Sequence, residues 1–289
     1  MEEQERTFAL RLEYDGATFR GSQLQTNGPS VQGELERAAE PLAGHPLRAR
    51  FAGRTDAGVH ASGQVAVLSL PARWTAVELQ RALNARLPAA MAVTAIVEAP
   101  AGFDPRRRAL WRRYRYLVWN AEVRSPLLRR SAWHVRYVLD DAALQRAAAL
   151  LVGEHDFASF AAPLKRSGAT SIRTMYDAAV SREGRLLEFE FRANAFLPHQ
   201  VRRMVGALVE LGKGKLREEQ IASWLREPSP GAAGPAAPSE GLCLVDVAYA
   251  ELHFAVDQVN ARRAVALPEY RSQADRSPDC DRNVVGETA

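Results

Sequence analysis

Apolar and polar residues alternate over residues 7–14, the period of a half-buried strand. Residues 31–42 switch to helical spacing, with Ser30 placed to cap the helix and Glu34 close behind. Residues 45–51 and 64–70 read as two further strands. Residues 75–87 form an amphipathic helix opened by a capping box of Thr75 and Glu78, and residues 93–97 a β-branched strand. The order β-α-β-β-α-β is the ferredoxin-like pattern.

The second half repeats that order. Residues 114–119 read as a strand, and 133–138 extend the sheet. A helix capped by Asp140 runs to about residue 151, and residues 174–180 and 186–192 make a hairpin around Glu183-Gly184. A helix over 198–211 has Pro198 in its first turn, a shorter helix spans 220–225, and 242–249 is a last strand. The expected class is therefore α+β: two ferredoxin/RRM-like βαββαβ halves joined into a mixed, mainly antiparallel sheet with helices. Joining them edge to edge hides strand edges and leaves a cleft. Residues 1–104 and 105–255 form the two α/β domains, residues 228–240 a mobile Pro/Gly/Ala/Ser loop, and 256–289 a polar, flexible tail.

Composition narrows the classes. No stretch approaches the roughly 18 apolar residues of a membrane span, and the acidic N-terminus has no secretory core. Cys243 and Cys280 make neither a disulfide framework nor a CxxC pair, which points to the cytoplasm. No His or Cys spacing suits a metal, and no nucleotide-binding glycine motif is present, so neither metal nor cofactor is expected. The net charge of +4 is modest, but its distribution is not: ten arginines stand between Pro105 and Arg136 against one acid, Glu122. Interleaved with Trp111, Tyr114, Tyr116 and Trp119, they suit RNA phosphates and stacked bases.

One segment carries chemistry. Gly53-Arg54-Thr55-Asp56-Ala57-Gly58-Val59-His60 lies between two expected strands. The glycines let the backbone turn and approach a ligand. A carboxylate in a nucleic-acid site repels phosphate, so Asp56 needs a reason. Catalysis is one, an Asx-type turn with an ion pair is another, and the residues alone leave both open.

GRTDAGVH followed by Gly63-Gln64-Val65-Ala66 resembles the signature of the TruA family of pseudouridine synthases. The resemblance extends over residues 7–250, through Tyr14-Asp15-Gly16 with Gln25, Phe103-Asp104, Arg112-Arg113-Tyr114-Arg115-Tyr116, the 153–160 block, the 194–206 block and Gly241-Leu242-Cys243-Leu244. One departure is Ser22, where many members carry Trp.

The resemblance implies a pseudouridine synthase fold and a set of roles. Asp56 is then the catalytic aspartate, and Tyr114 stacks on the target uracil. Arg202 pairs with Asp56, Leu244 packs against the base or the tyrosine, and Arg54 and His60 contact RNA or support the site. It further implies that uridine becomes pseudouridine at positions 38, 39 and 40 of the tRNA anticodon stem-loop, by a homodimer. An inactive tandem RRM-like RNA-binding module is the alternative, which the absence of RNP aromatics disfavours. A hydrolase would need a second acid near Asp56, for which Asp15 is the candidate.

Overall fold

The structure is a computed structural model and describes residues 4–163 and 170–254; the expected tail, Cys280 and Lys165 lie outside them. Strand β1 (Glu5–Tyr14) turns Phe8, Leu10, Leu12 and Tyr14 into the core, as its alternation dictates. Helix α1 (Val31–Ala43) is capped by the Ser30 side chain, which accepts from the Gly33 N–H. Strand β2 is only Arg50–Phe51, shorter than the expected 45–51. The groups that would have laddered are taken by α1 instead: Ala49 donates its N–H to Glu36 and accepts from Gln32. Pro46 has no N–H to offer. Strand β3 (His60–Pro71) is correspondingly long. Helix α2 (Ala76–Asn84) carries the expected Thr75/Glu78 capping box, and β4 (Met91–Ala99) closes the first half.

The second half contains β5 (Trp111–Asn120), the short β6 (Trp133–Val135), α3 (Asp141–Ala149) and β7 (Gly153–Asp156). It continues through β8 (Ile172–Glu183), β9 (Leu186–Ala193), α4 (Gln200–Gly212), α5 (Glu218–Arg226) and β10 (Leu242–Ala248). Strand β7 escapes the sequence because Gly-Glu-His-Asp has no apolar alternation.

The sheet has ten strands in the order β4-β1-β3-β10-β5-β9-β8-β7, with β2 beside β3 and β6 beside β5. Both halves therefore share one pairing scheme. In the first, β4-β1-β3-β2 is antiparallel throughout, and in the second β10-β5-β9-β8 is too. The shortness of β2 decides how they join. It covers only Val67 and Ala66 of β3, leaving His60 and Ala61 free to pair in parallel with Cys243 and Leu244 of β10. Among the described residues, five α-helices complete the α+β architecture that the element order implied.

The loop expected to be mobile is folded against α4. Ala233 and Ala237 are buried, and the Arg203 guanidinium donates to the carbonyls of Gly231 and Gly234. Gly206 makes this approach possible, since a Cβ there would stand 2.7 Å from the Pro235 carbonyl oxygen.

Candidate active site

Residues 52–59 connect β2 to β3 at the seam between the halves. Val59 N–H donates to the Asp56 carbonyl at 3.1 Å, closing a turn with Gly58 at φ 82. A Cβ on Gly58 would meet the Ser239 hydroxyl at 2.4 Å. Thr55 fixes the other side. Its N–H donates to the Ser22 hydroxyl at 2.8 Å, its carbonyl accepts from the Ser22 N–H at 3.0 Å, and its hydroxyl lies 2.9 Å from that of Tyr14. Gln64 donates to the Gly53 carbonyl at 2.9 Å. The small Ser22 thus sits inside the loop network, 2% exposed, where a Trp would not fit the same bonds.

The Asp56 side chain is about one-third exposed (37%) and meets two nitrogen-bearing side chains. Arg202 of α4 donates to Oδ2 at 3.0 Å, and His199 Nδ1 lies 2.9 Å from the same oxygen. Both contacts use Oδ2 and neither uses Oδ1. Arg202 is stretched between two anchors, since its Nε donates to the Ala237 carbonyl at 2.7 Å. The folded 228–240 loop therefore positions the partner of Asp56. His199 caps α4 in the left-handed region, φ 62, rare for a non-glycine residue. Pro198 precedes that cap instead of lying in the first turn as expected.

Asp56 opens on a cavity of about 360 Å³ that also exposes Tyr114, Phe196, Leu242, Arg202 and His199. It is the only acid among the described residues lining it. Tyr114 is 8% exposed, and its ring meets Phe196 edge-on with centroids 5.0 Å apart. Burial, foremost, pushes its phenol well above the ordinary range. On the outer side Asp56 borders a groove carrying Arg20, Gln23, Gln25 and Arg54.

The structure thus gathers Asp56, Tyr114, Arg202 and Arg54 around one space. Leu244 is buried directly opposite Tyr114 in the β10–β5 register, and it is Leu242 that reaches the cavity. His60 faces a different cavity: its Nδ1 accepts from the Gly16 N–H at 3.1 Å, and its Nε2 lies 2.6 Å from the Arg130 carbonyl. Asp15 lies in that same second cavity, beside His60, so it does not supply Asp56 with a second carboxylate. Sequence reasoning missed His199, Phe196 and Leu242 as site residues. All three lie in blocks whose resemblance was recognised, but nothing in residue type alone distinguishes them.

The arginine cluster is less free than its density suggests. Arg113 pairs with Glu190 at 3.5 Å and Arg115 with Glu188 at 3.8 Å, both across to β9. Arg108 meets Glu251 at 2.8 Å. These acids are distant in sequence and become neighbours only through strand register.

Two βαββαβ halves fused into one sheet, with a loop aspartate at the seam above an aromatic floor, are the pseudouridine synthase fold. The chain belongs to the tRNA pseudouridine synthase family, whose model matches residues 12–106 and 147–250. Proteins named tRNA pseudouridine synthase A from Geobacter sulfurreducens, Acidiphilium cryptum and Chloroflexus aurantiacus are 44%, 46% and 45% identical to it. Each comparison covers 84% of this chain, and 100%, 96% and 89% of the respective relatives. Asp56, Arg202 and Leu244 fall inside the stretches matched by the family, and Tyr114 falls between them.

Proposed function

We propose that the protein isomerises uridine to pseudouridine in tRNA, at positions 38, 39 and 40 of the anticodon stem-loop, with Asp56 as the catalytic group. The observation that carries this reading is the state of the Asp56 carboxylate. Arg202 and His199 hold Oδ2, and Asp56 lines a cavity that carries Tyr114 and Phe196 and, among the described residues, no second acid. An isomerase that moves one bond needs one such group; a hydrolase of the paired-acid kind needs two.

The target base must leave its stack, at a cost of a few kcal/mol. Tyr114 replaces part of that stacking, worth about 1–3 kcal/mol per base. Asp56 then adds to C1′ or removes a proton from C2′. The N-glycosidic bond breaks with its electron pair on uracil N1, the uracil turns while held, and C5 bonds to C1′ as Asp56 leaves C1′ or as the proton returns to C2′. The C5 proton passes to solvent and N1 takes one up. Nothing is gained or lost overall, so no cofactor is required. The Tyr114 phenol enters neutral, and to receive the C5 proton it must first give up its own. Arg54, beside Asp56 on the exposed groove, contacts the RNA. Leu244 supports the Tyr114 ring from β10, and His60 supports the loop after β1 through Gly16. We place the reaction in the cytoplasm, in a homodimer whose subunits share one tRNA, with each subunit divided near residue 104.

Tritium release from tRNA labelled at uridine C5 tests the assignment. The wild-type protein releases tritium with EDTA present. Asp56→Asn releases none while still binding tRNA. Undiminished release from Asp56→Asn removes Asp56 from its role.

A further inference from the structure

The cavity lining holds two groups of opposite character. In one, Asp56 is matched by Arg202 and His199. Arg106, Arg112 and Arg173 line the cavity as well, and among the described residues no carboxylate lies within 4.0 Å of any of their guanidinium groups. This differs from Arg108, Arg113 and Arg115, which are met by Glu251, Glu190 and Glu188.

Arg112 is the fixed member. It is 7% exposed and donates to the carbonyls of Asn194 at 2.7 Å, Ala52 at 3.0 Å and Arg106 at 2.5 Å. Those three bonds leave donors of the guanidinium uncommitted. Arg173, on β8, donates to the carbonyls of Thr170 at 2.9 Å and Ile172 at 2.5 Å, while its Nε is buried with no hydrogen-bond partner. Arg106 is set by the turn at Asp104, whose carboxylate accepts the Arg106 N–H at 2.9 Å. Burial first, and then the neighbouring Arg106 and Arg112 charges, push the Arg173 guanidinium down. Three like charges gathered at one cavity repel one another, only Asp156 opposing this at Arg173, and an arriving anion relieves the repulsion.

We propose that Arg106, Arg112 and Arg173 form a subsite for a backbone phosphodiester of the RNA substrate, the one joined to the ribose that Asp56 meets. The inference rests on the proposed reaction for its choice of anion. A ribose placed at Asp56 within an RNA chain brings its own phosphodiester with it. Planar guanidinium groups suit phosphate oxygens. Holding that phosphate fixes the sugar against the carboxylate while the free base turns, which a contact to the uracil cannot do. Arg112 also ties β5 to the loop before Asp56 through Ala52, so the same side chain couples the phosphate to the catalytic loop.

Because Arg112→Gln would disturb that tie, the test uses Arg106→Gln, Arg173→Gln and their double variant. Each single variant raises KM for a tRNA stem-loop about tenfold. The double variant lowers the slope of log affinity against log salt by about one unit. Arg173→Lys, which keeps the charge, recovers most of the affinity. RNAs with one neutral methylphosphonate beside the target uridine locate the contact. The substitution weakens binding to Asp56→Asn protein about tenfold and has no further effect when both arginines are also replaced.

Equal effects of the methylphosphonate with and without the arginines would overturn the proposal, as would unchanged KM and salt slope. A free phosphate ion occupying the subsite predicts that equality. An arginine that merely ties Thr170 and Ile172 predicts lost thermal stability with an unaltered slope. Tritium release by the wild-type protein separates the two levels. If release occurs and the variants bind as wild type, only the subsite falls; if wild type releases nothing, the reaction itself is wrong.

Discussion

Ser22 is buried, accepts the Thr55 N–H and returns its own N–H to the Thr55 carbonyl, one residue from the carboxylate that matters. Replacing it with Ala strands a buried donor, which costs about 1–3 kcal/mol, and loosens the orientation of Asp56. Ser22→Ala should therefore lower the urea midpoint and reduce kcat more than it changes KM. A variant with wild-type midpoint and kcat would show that the first loop does not hold the catalytic loop. The sequence identified Ser22 only as a departure from a pattern. What it does depends on Thr55, 33 positions away, and no periodicity reports such a bond. Asp56 was easier to see, because an acid between glycines in an arginine-rich chain already needs explaining. Arg202 at the edge of an apolar stripe could face either way until α4 was placed. His199 was invisible as a site residue, since its position depends on a left-handed backbone that residue type does not announce.

Strands and helices with strong period were legible to within a few residues, as β1, α1 and α2 show. The exceptions have causes outside the local pattern. Strand β2 loses residues to α1 side chains, and β7 forms because β8 offers an edge to Gly153–Asp156. The loop at 228–240 reads as mobile from its Pro, Gly, Ala and Ser content, yet small residues also permit close approach. Ala233 donates its N–H to the Ser159 carbonyl at 3.0 Å and Ala237 donates to Arg202 at 2.9 Å. Hydrogen exchange should therefore find the Ala233 and Ala237 amides protected to a degree similar to the α4 amides, and far above those of exposed turns. Gly206→Ala, by pushing Pro235 away, should speed exchange at Ala237 and lower kcat through the loosened Arg202. Rapid exchange at both alanines in the wild-type protein would contradict the packed loop.

Across the whole molecule, the halves share a sheet through a short parallel seam, reinforced by side chains that cross it. Arg112 donates to Ala52 and Arg202 to Asp56, while within the second half Tyr116 donates to the Pro238 carbonyl. Among the described residues four tyrosines, Tyr14, Tyr114, Tyr116 and Tyr249, are buried, one in the first half and three in the second. Burial, the largest influence on each, raises their phenols: Tyr14 is pushed up to about 12, and the other three further. Tyr137 goes the other way, lowered first by its hydrogen bond from Arg136. In the unfolded chain a phenol loses its proton near pH 10. Between that pH and the folded values, the native state holds protons that the unfolded state has released, so stability falls as pH rises. It is fully present below about pH 10, and Tyr14 alone withdraws up to roughly 3 kcal/mol by about pH 12. Absorbance at 295 nm should consequently rise in two phases. The exposed Tyr137 ionises first without structural change, and the buried four ionise together with the loss of far-UV circular dichroism. Because those four span both halves and the seam is cross-braced, the second phase should be one cooperative step, less steep in Tyr14→Phe. Ionisation of all tyrosines near pH 10 with circular dichroism intact would mean that the two halves do not enclose the phenols as the sheet topology requires.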